Sequence, residues 1–339
     1  MKSQDLFDQV TQQIIDQIES GNVPAWRQSW EGGLGGGMPL NHAGKHYNGG
    51  NVIMLWLSAH VHGFKNQYWM TYKQAEALGA QVKKGSKGTH VYFYSRGTKE
   101  NSKTGEAESF QFAKCYTVFN VDQIDNVPEK YLPVIMNKNP DLRDMATEDF
   151  IRATSAKIDH VIGQGNFYRP STDSINLEPF ENFHHAHGYY STALHELTHW
   201  TGDKNRLDRD KAGKKFESGY AFEELVAELG SAFLCAQLGL ENEARQDHAA
   251  YLQSWLKAFK NDKSFLFKAA SHASKAANYL TGLQPSAEAP EETPEAMETL
   301  AIIASAQPEP AATTPEPEPQ PAKIKTPKTA QASNQFSLF

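Results

Sequence analysis

The sequence predicts an α+β protein, with a mixed α+β first half, a largely helical second half and a disordered tail. Two segments rich in β-branched and aromatic residues, Thr89–Ser95 and Phe110–Val121, predict strands joined by a polar hairpin loop over residues 97–108. Apolar residues recur at helical spacing near the start of the chain and in longer segments after residue 147. After Leu283, Pro, Ala, Glu, Thr and Gln dominate, and this composition cannot bury enough apolar surface to offset chain entropy.

Three helices are predicted in the first half. Apolar residues at helical spacing predict an amphipathic helix over residues 4–20, which Gly21 can end because glycine adopts the left-handed conformation easily. A short apolar helix is predicted over residues 51–60. Thr71 can cap the N-terminus of a third helix, which runs to Leu78. The glycines and prolines between the first two helices predict a loop-rich connection.

The second half of the chain is predicted to be mostly helical. Its helices are expected over residues 147–158, 189–201 and 220–238, and helical segments continue to Leu280. A short strand is predicted over residues 174–177. The predicted organisation is therefore a first domain over residues 1–135, a second over residues 136–283 and a tail over residues 284–339.

The sequence predicts a cytoplasmic protein that does not enter a membrane. Its two cysteines, Cys115 and Cys235, fit no CxxC pattern, which indicates a reducing compartment and no disulfide framework. Acidic residues at Asp5, Asp8 and Asp16 argue against a signal peptide. No apolar run approaches the ~20 residues that a membrane-spanning helix needs.

The motif that indicates chemistry most directly is the HELTH segment from His195 to His199. Residues four apart share one face of a helix, so these two imidazoles can bind one metal ion, with Glu196 beside them to accept a proton from a metal-bound water. We expect one Zn²⁺ ion, or another divalent transition metal, per chain. The ion would lower the pKa of its water toward ~7 and polarise a carbonyl oxygen. The alternative is a pair of histidines on an ordinary helix.

A third protein ligand is predicted in the helix over residues 220–238, because a catalytic zinc site uses three protein ligands and leaves one position open. Glu224 and Glu228 share a helix face at a spacing of four residues. We predict that Glu224 is the ligand and that Glu228 orients a histidine, and the reverse assignment stays open. Glu223 is expected to be a solvated charge. Three upstream histidines are expected to form a polar rim rather than to bind the metal: His184, His185 and His187.

The first half of the chain also predicts a surface that binds single-stranded DNA. Between Lys65 and Lys99 there are seven basic residues and one acid, Glu76. The formal net charge of -7 is therefore spread unevenly along the chain and reflects mainly the tail. Aromatic faces stack on unpaired bases while cations bind phosphates, and the two residue types interleave here. The alternative is a set of core tryptophans beside solvated basic loops. The candidate DNA-binding residues are Trp26, Arg27, Lys45, Trp69, Lys73, Lys83, Lys84, Lys87 and Arg96.

Several separated segments, in order along the chain, resemble the ArdC-type antirestriction proteins. They include residues 69–75 and 118–123 in the first half, and residues 195–202 and 220–229 in the second. The resemblance covers about residues 5–283. It implies a single-stranded-DNA-binding domain, shared with TraC-type plasmid primases, that is fused to a zincin-like metallopeptidase domain and carried on mobile elements.

This resemblance implies that the protein protects incoming mobile-element DNA, transferred by conjugation, from host restriction. If the metal site is catalytic, its substrate is a protein or peptide and Glu196 is the general base. One alternative function is a DNA-dependent metalloprotease that acts on DNA-bound proteins. Another is a non-enzymatic protein that coats single-stranded DNA and uses the metal only as structural support.

The last five residues of the chain are similar to the short peptide that bacterial DNA-replication proteins insert into the sliding clamp. Leu338 and Phe339 can fill an apolar groove while the amide of Gln335 forms hydrogen bonds at its edge. The tail would then tether the protein to the host sliding clamp. The alternative is an unstructured terminus with chance hydrophobic residues.

Overall fold

The structure of the protein is a computed structural model, in which residues up to Pro285 form one compact unit. The described residues are 3–22, 24, 26, 37–100, 107–132, 139, 141–209, 219–240 and 248–285. The clamp-like motif with Gln335, Leu338 and Phe339 lies outside them, as does nearly all of the predicted tail, so both stay predictions.

Helices and short sheets alternate along the chain, which confirms the predicted α+β class. The helices are α1 (Ser3–Glu19), α2 (Gly50–His62), α3 (Tyr72–Ala77), α4 (Met145–Ala153), α5 (Ala186–Trp200), α6 (Gly219–Leu238), α7 (His248–Asn261) and α8 (Phe265–Gly282). The strands are β1 (Leu40–Asn41), β2 (Tyr68–Met70), β3 (Gln81–Val82), β4 (Thr89–Glu100), β5 (Ala107–Asn120), β6 (Ile124–Asp125), β7 (Lys157–His160), β8 (Phe167–Arg169) and β9 (Ser174–Leu177). Among these helices, none is both long and apolar enough to cross a membrane.

The first half contains a four-stranded sheet in the order β1-β2-β5-β4. Its longest part is the antiparallel hairpin of β4 and β5, which pairs Thr89 with Val118 at one end and Glu100 with Ala107 at the other. The predicted hairpin loop over residues 97–108 is therefore wrong at both ends. Strand pairing continues through these polar residues because the backbone hydrogen bonds of a hairpin require no apolar side chains.

The three helices predicted in the first half are confirmed, with boundaries that differ by one or two residues. The start of α3 was predictable because a capping box stabilises it. The hydroxyl of Thr71 accepts a hydrogen bond from the backbone N–H of Gln74, and the Gln74 side chain accepts one from the N–H of Thr71. Gly79, just after this helix, has a φ of 72°, the left-handed conformation that glycine adopts without strain.

The second half contains a three-stranded sheet in the order β7-β9-β8. The helix predicted over residues 147–158 is too long, since α4 ends at Ala153 and Ile158 lies in β7 opposite Ile175. Ser155 has a φ of 55°, which interrupts the helix, and parallel pairing with β9 then stabilises an extended chain. The predicted short strand is confirmed as β9.

One hydrophobic core is shared by elements of both predicted domains. Trp56 of α2 packs against Phe233 of α6 with ring centroids 5.5 Å apart, and the Gly49 N–H donates to the hydroxyl of Ser274 in α8 at 2.7 Å. α6 is buried around most of its circumference. The domain boundary near residue 135 stays a prediction, but the residues of α6 are held by packing on several sides.

Candidate metal centre

The two histidines of the HELTH segment lie on one face of α5. One helical turn separates His195 from His199, and their Nε2 atoms lie 3.2 Å apart. The two rings meet nearly edge to face, with centroids 4.8 Å apart. His195 is buried and the His199 side chain is only 15% exposed, so neither imidazole moves freely in water.

Helix α6 brings a carboxylate to the same point. One oxygen of Glu224 lies 3.7 Å from Nε2 of His195, and the other lies 3.6 Å from Nε2 of His199. Donor atoms of these three residues all lie within 4.8 Å of one another. Glu228, one turn farther along α6, is also buried. The converging group therefore contains the glutamate that the sequence favours as third ligand.

The spacing of these three donors fits a divalent metal ion. Metal–ligand bonds of about 2.05 Å in a tetrahedral site place neighbouring donors about 3.4 Å apart. The separations of 3.2, 3.6 and 3.7 Å lie on either side of that value. Two imidazoles and one carboxylate form a donor set that zinc and similar divalent metals accept. Glu196, next to His195 in the chain, is buried at the same place.

Glu223 departs most clearly from its predicted role. The expectation of a solvated charge is wrong, because its carboxylate lies 3.3 Å from Nδ1 of His199 and accepts hydrogen bonds from Arg209 at 2.8 and 3.2 Å. Burial raises the pKa of this carboxyl, but the hydrogen bond with His199 and the charge of Arg209 outweigh burial and lower the pKa to about 2. Glu223 thus makes at His199 the kind of orienting contact that the sequence assigns to Glu228, whose own role stays a prediction.

Arg209 joins Glu223 to the end of α5. Its buried guanidinium donates to the Thr201 hydroxyl at 2.5 Å and to the backbone carbonyl of Thr198. A Cβ at Gly202 would lie 3.0 Å from a guanidinium nitrogen, so glycine leaves the space that Arg209 occupies. Sequence reasoning missed Arg209, because no local pattern shows that a loop residue meets a helix residue 14 positions later.

The electrostatics of the centre favour a bound cation. Burial disfavours the charged form of His199, yet the hydrogen bond with Glu223 and the charges of Glu196, Glu223 and Glu224 outweigh burial and raise its pKa. Glu228 adds another buried carboxyl on α6. A divalent cation bound among these carboxyl groups would compete with the proton for the imidazole nitrogen.

The Glu223→Ala variant is expected to bind metal roughly 10- to 100-fold more weakly than the wild type. The substitution removes the carboxylate that orients the His199 ring but leaves all three converging donors. Titration calorimetry with Zn²⁺ or Mn²⁺ measures the affinity.

The matched control is Asp173→Ala. Asp173 binds Arg206, a second arginine of low exposure, which donates to the Trp200 carbonyl at the same end of α5 and touches none of the three donors. Similar losses of affinity in the two variants would show general loosening of α5, and would contradict a specific role for Glu223.

The two tryptophans of the predicted DNA-binding set belong to the core. Trp26 is 3% exposed and Trp69 is 1% exposed. Trp69 lies in β2 and packs edge-on against Phe64, with ring centroids 5.9 Å apart. The prediction that these rings stack on bases is therefore corrected, because their faces pack against other apolar side chains instead of facing solvent.

The predicted basic residues lie at the surface where their side chains are described. Lys83 is exposed, but its ammonium donates to the Asp122 carbonyl at 2.9 Å and lies 3.7 Å from the carboxylate of Asp125. Arg27 and the side chain of Arg96 lie outside the described part of the chain. The other exposed members of the set are Lys45, Lys73, Lys84 and Lys87.

Comparisons with known proteins match each half of the chain to a described domain. Residues 4–119 match the N-terminal domain of the anti-restriction factor ArdC. Residues 145–272 match a zincin-like metallopeptidase domain. The second match contains all three converging donors.

Two crystal structures of the antirestriction protein ArdC from plasmid R388 are similar to this chain. The metal-free structure has 44% sequence identity and a TM-score of 0.71, and the match covers 82% of this chain and 97% of that one. The Mn(II)-bound structure has 45% identity and a TM-score of 0.67, with the same coverage. Together with the converging donors, the zincin-like match and the Mn(II)-bound neighbour identify a divalent-metal site in this protein.

Curated proteins are also similar to this chain over most of its length. An uncharacterised protein, y4eC, from Sinorhizobium fredii is 38% identical over 84% of this chain and 94% of its own length. Two proteins from Escherichia coli, both named DNA primase TraC, are 39% and 37% identical over 82% and 81% of this chain. This chain spans only 27% and 20% of the lengths of these two primases. Similarity of this extent to ArdC, across both halves, shows that the chain belongs to the ArdC family of antirestriction proteins.

Proposed function

We propose that this protein binds single-stranded DNA, protects incoming mobile-element DNA from restriction in the cytoplasm, and carries a zinc metallopeptidase-type site. The observation that carries the proposal is the convergence of His195, His199 and Glu224, with Glu196 buried beside them. Membership of the ArdC family supports protection from restriction. The match to the ArdC N-terminal domain and the exposed lysines of the first half support DNA binding.

His195, His199 and Glu224 would hold the metal ion, and Glu223 would fix the His199 ring through Nδ1. A zinc ion at this centre would polarise a peptide carbonyl oxygen. We assign to the carboxylate of Glu196 the transfer of a proton from the attacking water to the leaving amide nitrogen. Its burial keeps bulk water away from that transfer. Zinc is proposed because two histidines and one glutamate leave one position open in a tetrahedral site.

The test compares the wild-type protein with the Glu196→Gln variant. Glutamine keeps the size of the side chain but cannot accept the proton, so proteolysis is expected to fall by roughly 100-fold or more. Metal content and affinity for single-stranded DNA are expected to stay unchanged. Cleavage of an unfolded protein, with and without single-stranded DNA, measures the activity.

Protection of transferred DNA from restriction is measured in the same two proteins. Loss of protection in the variant would link protection to the chemistry of Glu196. Equal protection by both proteins, without proteolysis by either, would reject the peptidase role and favour non-enzymatic coating of DNA. Proteolysis that requires DNA but does not affect protection would favour the DNA-dependent metalloprotease.

A further inference from the structure

Two large aromatic rings, Phe93 and Tyr116, are exposed on the β4–β5 hairpin. Phe93 is 46% exposed and Tyr116 is 41% exposed, which is unusual for large rings in paired strands. Their ring centroids lie 5.5 Å apart in a T-shaped arrangement. The ring of Tyr47, which is buried, lies 6.3 Å from that of Phe93. We call these three rings the aromatic row, of which Phe93 and Tyr116 are exposed and Tyr47 is buried.

Strand register places the two exposed rings on one face of the hairpin. Phe93 lies opposite Lys114, and Tyr116 lies opposite Val91, so these side chains share one face of the hairpin. Tyr92 points to the other face, where its ring contacts Phe7 of α1 at 6.0 Å. Val91, on the same face as Phe93 and Tyr116, is also fully buried in the core, so the two exposed rings lie beside a buried residue of their own face.

The chain segments that carry the aromatic row are positively charged. Its members come from residues 32–75, 77–99 and 109–121, and these three stretches contain no Asp or Glu. Lys114 is exposed directly across the hairpin from Phe93, and Lys45 is exposed two positions before Tyr47. This is a marked local reversal in a chain whose formal net charge is -7. An anionic partner is therefore complementary to this face.

We propose that single-stranded DNA binds here, with bases stacked on Phe93 and Tyr116 and phosphates near Lys114. The proposal rests on the proposed DNA binding and names the surface that performs it. Single strands are favoured over duplex because only unpaired bases present a free face to a protein ring. Two exposed rings are also a small contact for a protein partner, since a stable interface buries about 800 Å² on each side.

The aromatic residues in this surface differ from those that the sequence suggested. Trp26 and Trp69 are the larger rings but lie in the core. Phe93 and Tyr116 occupy a face that only the pairing of β4 with β5 creates.

The test measures binding of the full-length protein to a fluorescent single-stranded oligothymidine by anisotropy. Replacing both Phe93 and Tyr116 by Ala is expected to weaken binding about 25-fold or more, because each stacked base contributes roughly 5- to 150-fold. Replacing both by Leu keeps apolar side chains without aromatic faces and should cause a similar loss. Lys114→Ala is expected to reduce the slope of log affinity against log salt by about 0.7 for one phosphate contact.

The matched control is Tyr72→Ala, which removes a ring of equal exposure, 46%, on α3 outside the row. It should bind as the wild type does. Wild-type affinity in the Leu variant, or an equal loss in the Tyr72 variant, would overturn this inference and leave DNA binding in place. A wild-type protein that binds no single-stranded DNA would overturn the proposed DNA binding itself. A chain that dimerises through this face, with DNA affinity unaffected by the variants, would assign the row to a second copy instead.

Discussion

The His195→Ala variant is expected to lose its metal ion. The substitution removes one of three donors whose separations match a single coordination site, and it leaves one imidazole and one carboxylate. The metal affinity should fall by more than the roughly 100-fold that follows from losing a residue that only orients a ligand, because here a ligand itself is removed. His199→Ala is expected to behave in the same way.

Metal content after dialysis and the shift in melting temperature measure this loss. At an ion concentration of 100 times Kd, binding stabilises the wild type by about 2.7 kcal/mol, so its Tm should rise when Zn²⁺ or Mn²⁺ is added. Neither variant should respond. The control is His62→Ala, since His62 is an exposed histidine of α2 whose ring contacts the Ser58 carbonyl. Unchanged metal content in both variants of α5 would show that the ion binds elsewhere.

The Gly230→Ala variant is expected to force α5 and α6 apart. A Cβ at this position would lie 2.5 Å from Cγ2 and 2.7 Å from Oγ1 of Thr198, far inside contact distance. Thr198 is fully buried and β-branched, and its hydroxyl donates to the Leu194 carbonyl at 2.8 Å, so it cannot move aside easily. Overpacking of this kind costs about 1–3 kcal/mol of folding free energy. Metal affinity should fall as well, because α5 carries both histidines and α6 carries Glu224.

Urea denaturation of the metal-free proteins, followed by metal titration, measures both effects. Combining Gly230→Ala with Thr198→Ala removes both clashing atoms and leaves a Cβ contact of 3.1 Å, so stability should partly recover. Gly282→Ala at the end of α8 is the control, because a Cβ there meets nothing within 4 Å. If Gly230→Ala were as well tolerated as Gly282→Ala, the close crossing of the two helices would be contradicted.

Local patterns were sufficient for much of the fold. The start of α3 was predictable because its capping box involves residues three apart. The pair formed by His195 and His199 was predictable for a similar reason, since helical geometry alone places residues four apart on one face. Where the prediction of a helix or loop failed, strand pairing had overridden the local signal. Ile158 is in a strand because it pairs with Ile175, and the hairpin of β4 and β5 extends into a polar segment.

The metal centre was likewise predictable from the sequence only in part. The sequence alone determined the HELTH segment of α5 and limited the third ligand to the acids of α6. Only the tertiary structure places Glu224 at the two imidazoles and Glu223 between His199 and Arg209. These contacts depend on the crossing of α5 and α6 where Gly230 meets Thr198, and a helical period cannot specify how two helices cross.

The proposed DNA-binding surface shows the same limit for aromatic residues. The sequence by itself determined that the first half is rich in aromatic and basic residues. Only the tertiary structure decided that Trp69 fills the core while Phe93 and Tyr116 face solvent. The physical reason is that burial is set by what packs against a side chain, and these partners come from elements far apart in the sequence. Residue type and local spacing therefore determined which metal-binding and aromatic side chains the chain contains. Long-range packing decided which of these side chains are positioned to bind a ligand.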